Sequence, residues 1–421
     1  MVARARPRRR VLVDRALAPD FAQPLVVVTA WSTYGAYVLA SLGAVLAVGA
    51  WWYLRALARA GGDAVRPRSV ALVVAVALAI GFASPVVFSS DVYAYAAYGD
   101  LAAHGADPYV RSTDASDPTL AAAQWQWGHV LPACVYGPFF VAIARVAVAL
   151  FAPNVAAQLD ALRILSALAL LACIPLAYAA FAGLGRERGV WSAVAIGANP
   201  VAIWSAIEGH NDAIVVAMAL AAFALARRYG PALGAFVATL SIGVKLVGAA
   251  AVVASLAAYR APSRALTAAV AGAAAGAVAV GLAVLPYAAS MLAPGAHGPY
   301  QPHVSLQAIW PPLGIAAACA AFGFGAYRIA RGEVEGWPLA ALGAWIAIPN
   351  PQPWYGLWFL PIAALAPRSR IATVLIALSL TTFLRYVPDA VGTPDRLTDM
   401  VLSLLAFAPL ALLWPTSRSH R

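Results

Sequence analysis

Residues 71–109 read ALVVAVALAIGFASPVVF followed directly by SSDVYAYAAYGDLAAHGADPY. The first part carries no charge and is long enough to cross a hydrocarbon core. It ends at Phe88, so Asp91 falls where a membrane span would meet water. Ser90 or Asp91 can cap the helix that follows, and Gly105 can end it. Helical spacing puts Asp91, Tyr95, Tyr98 and Ala102 on one face. An acid at the bilayer rim, backed by aromatic hydroxyls, suits a general base. The same residues also suit a helix cap with a tyrosine belt at the headgroup level.

Working outward, the composition settles the class. The chain is 63% hydrophobic and 11% charged, against about 45–50% and about 25% in soluble domains. Apolar runs of span length recur along the whole chain, which predicts an all-α, polytopic membrane protein with roughly 11–13 transmembrane helices. The net charge is +11, but nearly all the basic residues are Arg clustered in short links between apolar runs. That pattern encodes topology and excludes a nucleic-acid partner. Three widely spaced cysteines, Cys134, Cys173 and Cys319, give neither a disulfide framework nor a zinc site. Cys173 and Cys319 lie within apolar runs and read as packing residues.

Residues 1–20 form a basic tail, and residues 21–68 hold an additional membrane segment, Leu25 to Leu54, with a basic link after it. The run is too long for the apolar region of a cleaved leader. A single crossing would put the tail outside against its own charge; a run that bends back would keep it inside. Residues 89–135 form the longest polar stretch, with Asp91, Asp100, Asp107, Asp114 and Asp117 against Arg111 alone. Those aspartates contrast with the Arg-rich links and place the stretch outside. Trp125, Trp127 and His129 suit a helix lying at the headgroups, and the stretch runs into VYGPFF from Val135. Tyr136 to Ala152 reads as a partial or tilted segment interrupted by Arg145. Leu162 to Phe181, Val190 to Ile207 and the later runs alternate in the sense the positive-inside rule requires. Pro231 to Ala258 has basic residues at both ends, so a broken pair of half-helices is expected, with Lys245, the one lysine of the chain, near the break. A basic tail closes the chain at residues 417–421.

This topology brings four groups of residues to one side: Asp91; Glu208, His210, Asn211 and Asp212 of EGHND; His297 to His303; and Gln352, Trp354 and Tyr355 of QPWY. Polar groups are expensive in such a chain and tend to be functional. Glu208 and Asp212 are expected to share a helix face. The EGHND turn reads as a binding site for a sugar, a phosphate or a metal, or as a capped and hydrated turn. Lys245 inside an apolar run costs about 2.5–3.5 kcal/mol and needs a partner, either a phosphate or a carboxylate or helix end of the protein. The aromatic residues around Trp354 read as a platform for a sugar or polyprenyl chain, or as an interfacial belt.

SSDVYAYAAYGDLAAHGADPY, VYGPFF, EGHNDA, the span with Lys245 and QPWY, in that order, resemble the GT-C superfamily of integral-membrane glycosyltransferases. The likeness is greatest to the bacterial polyprenyl-phosphate-mannose-dependent α-(1→6)-mannosyltransferases. It implies a GT-C-type helical bundle over residues 69–416, with a large first outer loop carrying short interfacial helices. It implies a hexosyltransferase at the outer face of the plasma membrane, moving a hexose, mannose by resemblance, from a polyprenyl-phosphate donor to a glycan or lipid-linked acceptor. By position Asp91 takes the catalytic base. Lys245, His210, Glu208, Asn211, Asp212, Tyr95, Tyr136, Gln352, Trp354, Tyr355 and His303 are expected around the donor phosphate and sugar. Asp91 has no DxD partner, so no cofactor is required by the motif and a divalent metal stays an option. One base and direct displacement give inversion at C1. The rival is a transporter or flippase of a lipid-linked or polar substrate, which requires repeats with matching broken helices.

Overall fold

The computed structural model describes residues 33–60, 65–84, 86, 89–127, 129–259, 263–293, 302, 304–387 and 396–414. Among them the regular structure is all helical, with one isolated bridge, Ser112 to Leu131, inside the loop of residues 89–135. The protein is an all-α, polytopic membrane protein. Four helices are long and apolar enough to cross a bilayer, and a bent pair makes a fifth. Six shorter apolar helices accompany them, including Pro67–Phe82, Pro138–Phe151 and Gly336–Ala347.

The first helices are α1 (Thr33–Arg59), α2 (Pro67–Phe82), α3 (Asp91–Ala103), α4 (Pro118–Trp127), α5 (Pro138–Phe151) and α6 (Val155–Phe181). They are followed by α7 (Arg186–Gly197), α8 (Pro200–Ile207), α9 (Asp212–Tyr229), α10 (Pro231–Leu240), α11 (Ala249–Ala257) and α12 (Arg264–Val284). Helices Pro311–Ala330, Gly336–Ala347, Gly356–Ala363, Arg370–Thr381 and Arg396–Phe407 complete the bundle.

Two boundaries differ from the sequence expectation. α6 begins at Val155 rather than Leu162, because Asn154 caps it by accepting a hydrogen bond from the Ala157 amide at 3.1 Å. The run Val190 to Ile207 is two helices bent by 48°. Asn199 ends the first and caps the second through the amides of Val201 and Ala202, with Pro200 opening the next turn. Cys173 is buried as expected, but Cys319 is exposed on the outer face of its helix.

Among the described residues two large apolar cores organise the bundle, with a small third one at Ala222, Ala238 and Ala251. The larger joins α1, α2 and α6–α9 to the C-terminal helices through residues such as Leu170, Ile196, Leu220, Trp345 and Leu360. The smaller joins α3 and α4 to α5 and α6 through Tyr95, Tyr98, Phe140 and Leu162. α3 sits within the smaller core, and Val92 to Ala102 are buried all the way round, as an evenly apolar helix requires. Gly99 allows α3 to lie directly against the backbone of Ala144 and Arg145 in α5. By contrast the outer faces of α12 and Pro311–Ala330 carry exposed apolar residues, among them Val278, Leu282, Ile315 and Phe322, which suits contact with lipid.

Candidate functional site

The site is built at three breaks between helices, the first of them at the start of α3. Ser90 stands at the N-cap of α3 but makes no side-chain cap bond; instead Ser89 Oγ accepts the Asp91 amide at 3.1 Å. That leaves the Asp91 carboxylate free of capping duty. At the far end Gly105 takes a left-handed conformation (φ 76°) and ends the helix as expected.

The second break is the EGHND turn. Glu208 ends α8 and Asp212 opens α9, while Gly209 between them is left-handed (φ 88°). The expected shared face of Glu208 and Asp212 is therefore absent: the positive φ of Gly209 interrupts the helical spacing. Glu208 faces Tyr386, whose hydroxyl donates to Oε2 at 3.2 Å. Asp212 faces the other way, accepting from Lys245 Nζ at 2.8 Å and Trp358 Nε1 at 2.6 Å. All four polar members of the turn are 0–1% exposed, which disposes of the hydrated-turn reading.

The third break is at Lys245, which lies in extended backbone between two short 3-10 turns (φ −155°, ψ 139°). The half-helices α10 and α11 flank it, as expected. The VYGPFF loop docks here: the Gly137 amide donates to the Val244 carbonyl at 2.9 Å. Gly137 and Gly243 permit that approach, since a side chain at either would strike the opposite segment. The docking brings Tyr136 beside Lys245. The ammonium then lies 5.1–5.3 Å from the ring centres of Tyr136, Tyr355 and Trp358, a three-sided aromatic enclosure for a cation.

These elements converge on Asp91. Its Oδ2 lies 3.4 Å from the Tyr95 hydroxyl, 3.4 Å from the Tyr136 hydroxyl and 3.5 Å from His210 Nδ1. His210 Nε2 lies 4.0 Å from Glu208 Oε2, and its ring stacks on Trp354 at 3.5 Å between centres. Burial pushes the Asp91 carboxyl up, but His210, Lys245 and Tyr136 outweigh it and hold it below the usual carboxylate range. Burial and the Asp91 charge keep the Tyr136 phenol well above its ordinary range, so it acts as a neutral donor.

The side chains of Asp91 and Lys245 remain 17% and 12% exposed, whereas those of His210, Glu208 and Asp212 are at most 1% exposed. The two accessible charges thus form a rim, with a buried polar floor below. Both polar side-chain atoms of Asn211 and Oδ2 of Asp212 lack a hydrogen-bond partner. Buried groups in that state cost about 1–3 kcal/mol each.

Of the residues singled out in the sequence, Asp91, Tyr95, Tyr136, Glu208, His210, Asp212, Lys245, Trp354 and Tyr355 meet here. Asn211 lies in the same turn, and Gln352 opens the turn that carries Trp354. His303, like His297, falls outside the described residues. Three members went unread. Trp358 sits in an apolar run where one more aromatic ring carries no signal, and Tyr386 follows Arg385 in the loop beyond one. Arg163 did leave one, an arginine within an apolar run. It is buried and donates to the carbonyls of Ile207 at 2.7 Å and Ser84 at 2.8 Å and to Asp160 at 3.0 Å. It therefore ties the chain leading to Asp91 to the turn that carries His210.

Comparison with known proteins gives the family. A family model described as alpha-(1->6)-mannopyranosyltransferase, N-terminal domain, matches residues 13–261. That range includes the start of α3, VYGPFF, EGHND and Lys245. A curated relative, alpha-(1->6)-mannopyranosyltransferase A of Mycobacterium tuberculosis (strain ATCC 25618 / H37Rv), is 30% identical over 163 residues. The match covers 38% of this chain and 31% of that relative, so the chain aligns with about a third of its length. No solved structure matches. With more than half of its length matched by the family model, the chain belongs to the alpha-(1->6)-mannopyranosyltransferase family.

Proposed function

We propose that the protein transfers a mannosyl group from a polyprenyl-phosphate donor to a hydroxyl of a glycan or lipid-linked acceptor at the outer membrane face. Asp91 is the base. The observation that carries this reading is the environment of Asp91: an accessible carboxylate, held ionised, with two phenols and an imidazole gathered on one oxygen and Lys245 close by.

The acceptor hydroxyl loses its proton to Asp91 as its oxygen bonds to C1 of the sugar. The C1–O bond to the phosphate breaks, and the electron pair leaves on the phosphate oxygen. A phosphate is a stable leaving group and needs no general acid; the Lys245 ammonium balances the charge that develops on it. Asp212 keeps its bond from Trp358 when Lys245 turns to the phosphate, so the floor is not left with a bare carboxylate. The other residues position these groups. His210, fixed between Asp91, Glu208 and the Trp354 ring, sets the orientation of the base. Asn211 offers an unused donor and acceptor to sugar hydroxyls.

A single displacement inverts C1. An α-(1→6) product, the linkage named for the family and the mycobacterial relative, then requires a β-linked phosphate donor. The test is to incubate purified protein with radiolabelled β-linked polyprenyl-phosphate-mannose and a mannoside acceptor. New α-linked product formed by the parent and lost in Asp91→Asn supports the assignment. Near-normal transfer by Asp91→Asn removes the base. Uptake of label into vesicles without a new glycosidic bond replaces the whole reading with transport.

A further inference from the structure

We propose that Asp100, His104 and Asp117 form a divalent-cation site at the far end of α3, distinct from the Asp91 centre. Asp100 lies nine residues after Asp91 on one helix, a separation of about 13 Å at 1.5 Å rise per residue. Asp100 and His104 are one turn apart. Asp117 precedes α4 and uses Oδ1 to accept the Leu120 amide at 2.9 Å, which leaves its other oxygen for a further bond. One ligand atom from each of the three residues falls within 4.8 Å of the others, the spacing expected of groups around one ion.

A second observation points to a ligand. Asp100 is only 5% exposed, and its Oδ2 is buried without a hydrogen-bond partner. The nearest group of opposite charge is His104 Nδ1 at 3.4 Å, which also sits 3.1 Å from the Asp100 backbone oxygen. A helix built only for packing would place an apolar residue there, because a buried carboxylate oxygen without a hydrogen bond is costly.

The donor set commits the ion. Two carboxylates and one imidazole suit Mn2+ or Zn2+ better than Ca2+ or Mg2+, which prefer oxygen alone. The side chain of His104 is 71% exposed, so the ion enters from the outer aqueous phase. Its place in the fold is that of a clamp. Asp117 precedes α4 and faces the last turn of α3, while Trp127 at the end of α4 donates to the Ser90 carbonyl at 3.3 Å. The two helices therefore run antiparallel, and an ion at one end fastens α4 over the end that bears Asp91.

The test uses full-length protein in detergent, stripped with EDTA and titrated with Mn2+ by electron paramagnetic resonance and with Zn2+ by calorimetry. One ion should bind per chain. His104→Ala, at an exposed position that does not threaten folding, and Asp117→Asn should each weaken binding by about tenfold or more. The parent's thermal midpoint should rise with the ion, and that of His104→Ala should not. Absence of binding by the parent overturns the proposal. So does parental affinity in both variants, which would put the ion elsewhere.

Discussion

At its first residue α3 presents Asp91 to a cluster whose other ionisable members, Glu208, His210 and Asp212, are 1% exposed. In its last turns it presents Asp100 to His104, which stands largely in solvent. The two ends handle a carboxylate oppositely. Asp91 is surrounded by donors and a cation, and its carboxyl is held low. Asp100 is pressed against a second carboxylate, and its carboxyl is pushed up to about 7. Burial acts the same way on both. What differs is the company: groups that favour the charge at one end, a like charge at the other. A helix buried on every side can carry an ionised acid only where the rest of the fold supplies the compensation.

The largest effect should follow from removing that acid. Asp91→Asn keeps the shape and loses the proton acceptor, so transfer should fall by about 10²–10⁴-fold, with the thermal midpoint in detergent near that of the parent. A comparable loss in Asp100→Asn would erase the distinction between the ends.

Next in size is the pairing of Lys245 with Asp212. Lys245→Met leaves a buried carboxylate without its cation and should cost about 3–5 kcal/mol of stability. The double variant Lys245→Met with Asp212→Asn should recover most of that stability in thermal melts while transfer stays low. Recovery of both would mean that Lys245 serves only the fold. A smaller loss is expected at the turn that holds His210. Gly209→Ala forces a left-handed conformation on a residue with a Cβ, close to Val92 and Arg163, and should cost about 1–2 kcal/mol.

The pH dependence sharpens the comparison further. Asp91 must be ionised to act and its carboxyl is held low, so transfer should be lost only as pH falls through that lowered value, beneath the ordinary aspartate range. The stability that Asp91 contributes follows the same sign: present above its unfolded value and lost as pH falls through the folded one. Removing the Lys245 charge should move the acid limb of the rate profile to higher pH. An unmoved limb would show that another group is being titrated. The smallest effect belongs to His104→Ala, which in EDTA should leave transfer and melting within error of the parent.

Much of the Asp91 end was legible in the chain. Asp91 follows an apolar run, EGHND is a rare polar cluster, and Lys245 is an isolated charge; each announces itself because charge is costly in a bilayer. The face shared by Asp91 and Tyr95 follows from helical spacing, and the helix keeps it. The same spacing failed for Glu208 and Asp212, because Gly209 turns left-handed between them. The Asp100 end was harder to read. Asp100 and Asp117 were two of five aspartates in one polar loop, and nothing local distinguishes those that fold against each other.

The sequence alone determined the class and the order of the motifs, since these rest on hydrophobic run length and the cost of polar groups in lipid. Only the tertiary structure decided that Lys245 pairs with Asp212, that His210 lies between Asp91 and Glu208, and that Asp100 meets Asp117. Those contacts depend on how separate helices pack, through glycine approaches such as Gly137 on Gly243 and ties such as Arg163, and packing at that range leaves no period in the chain.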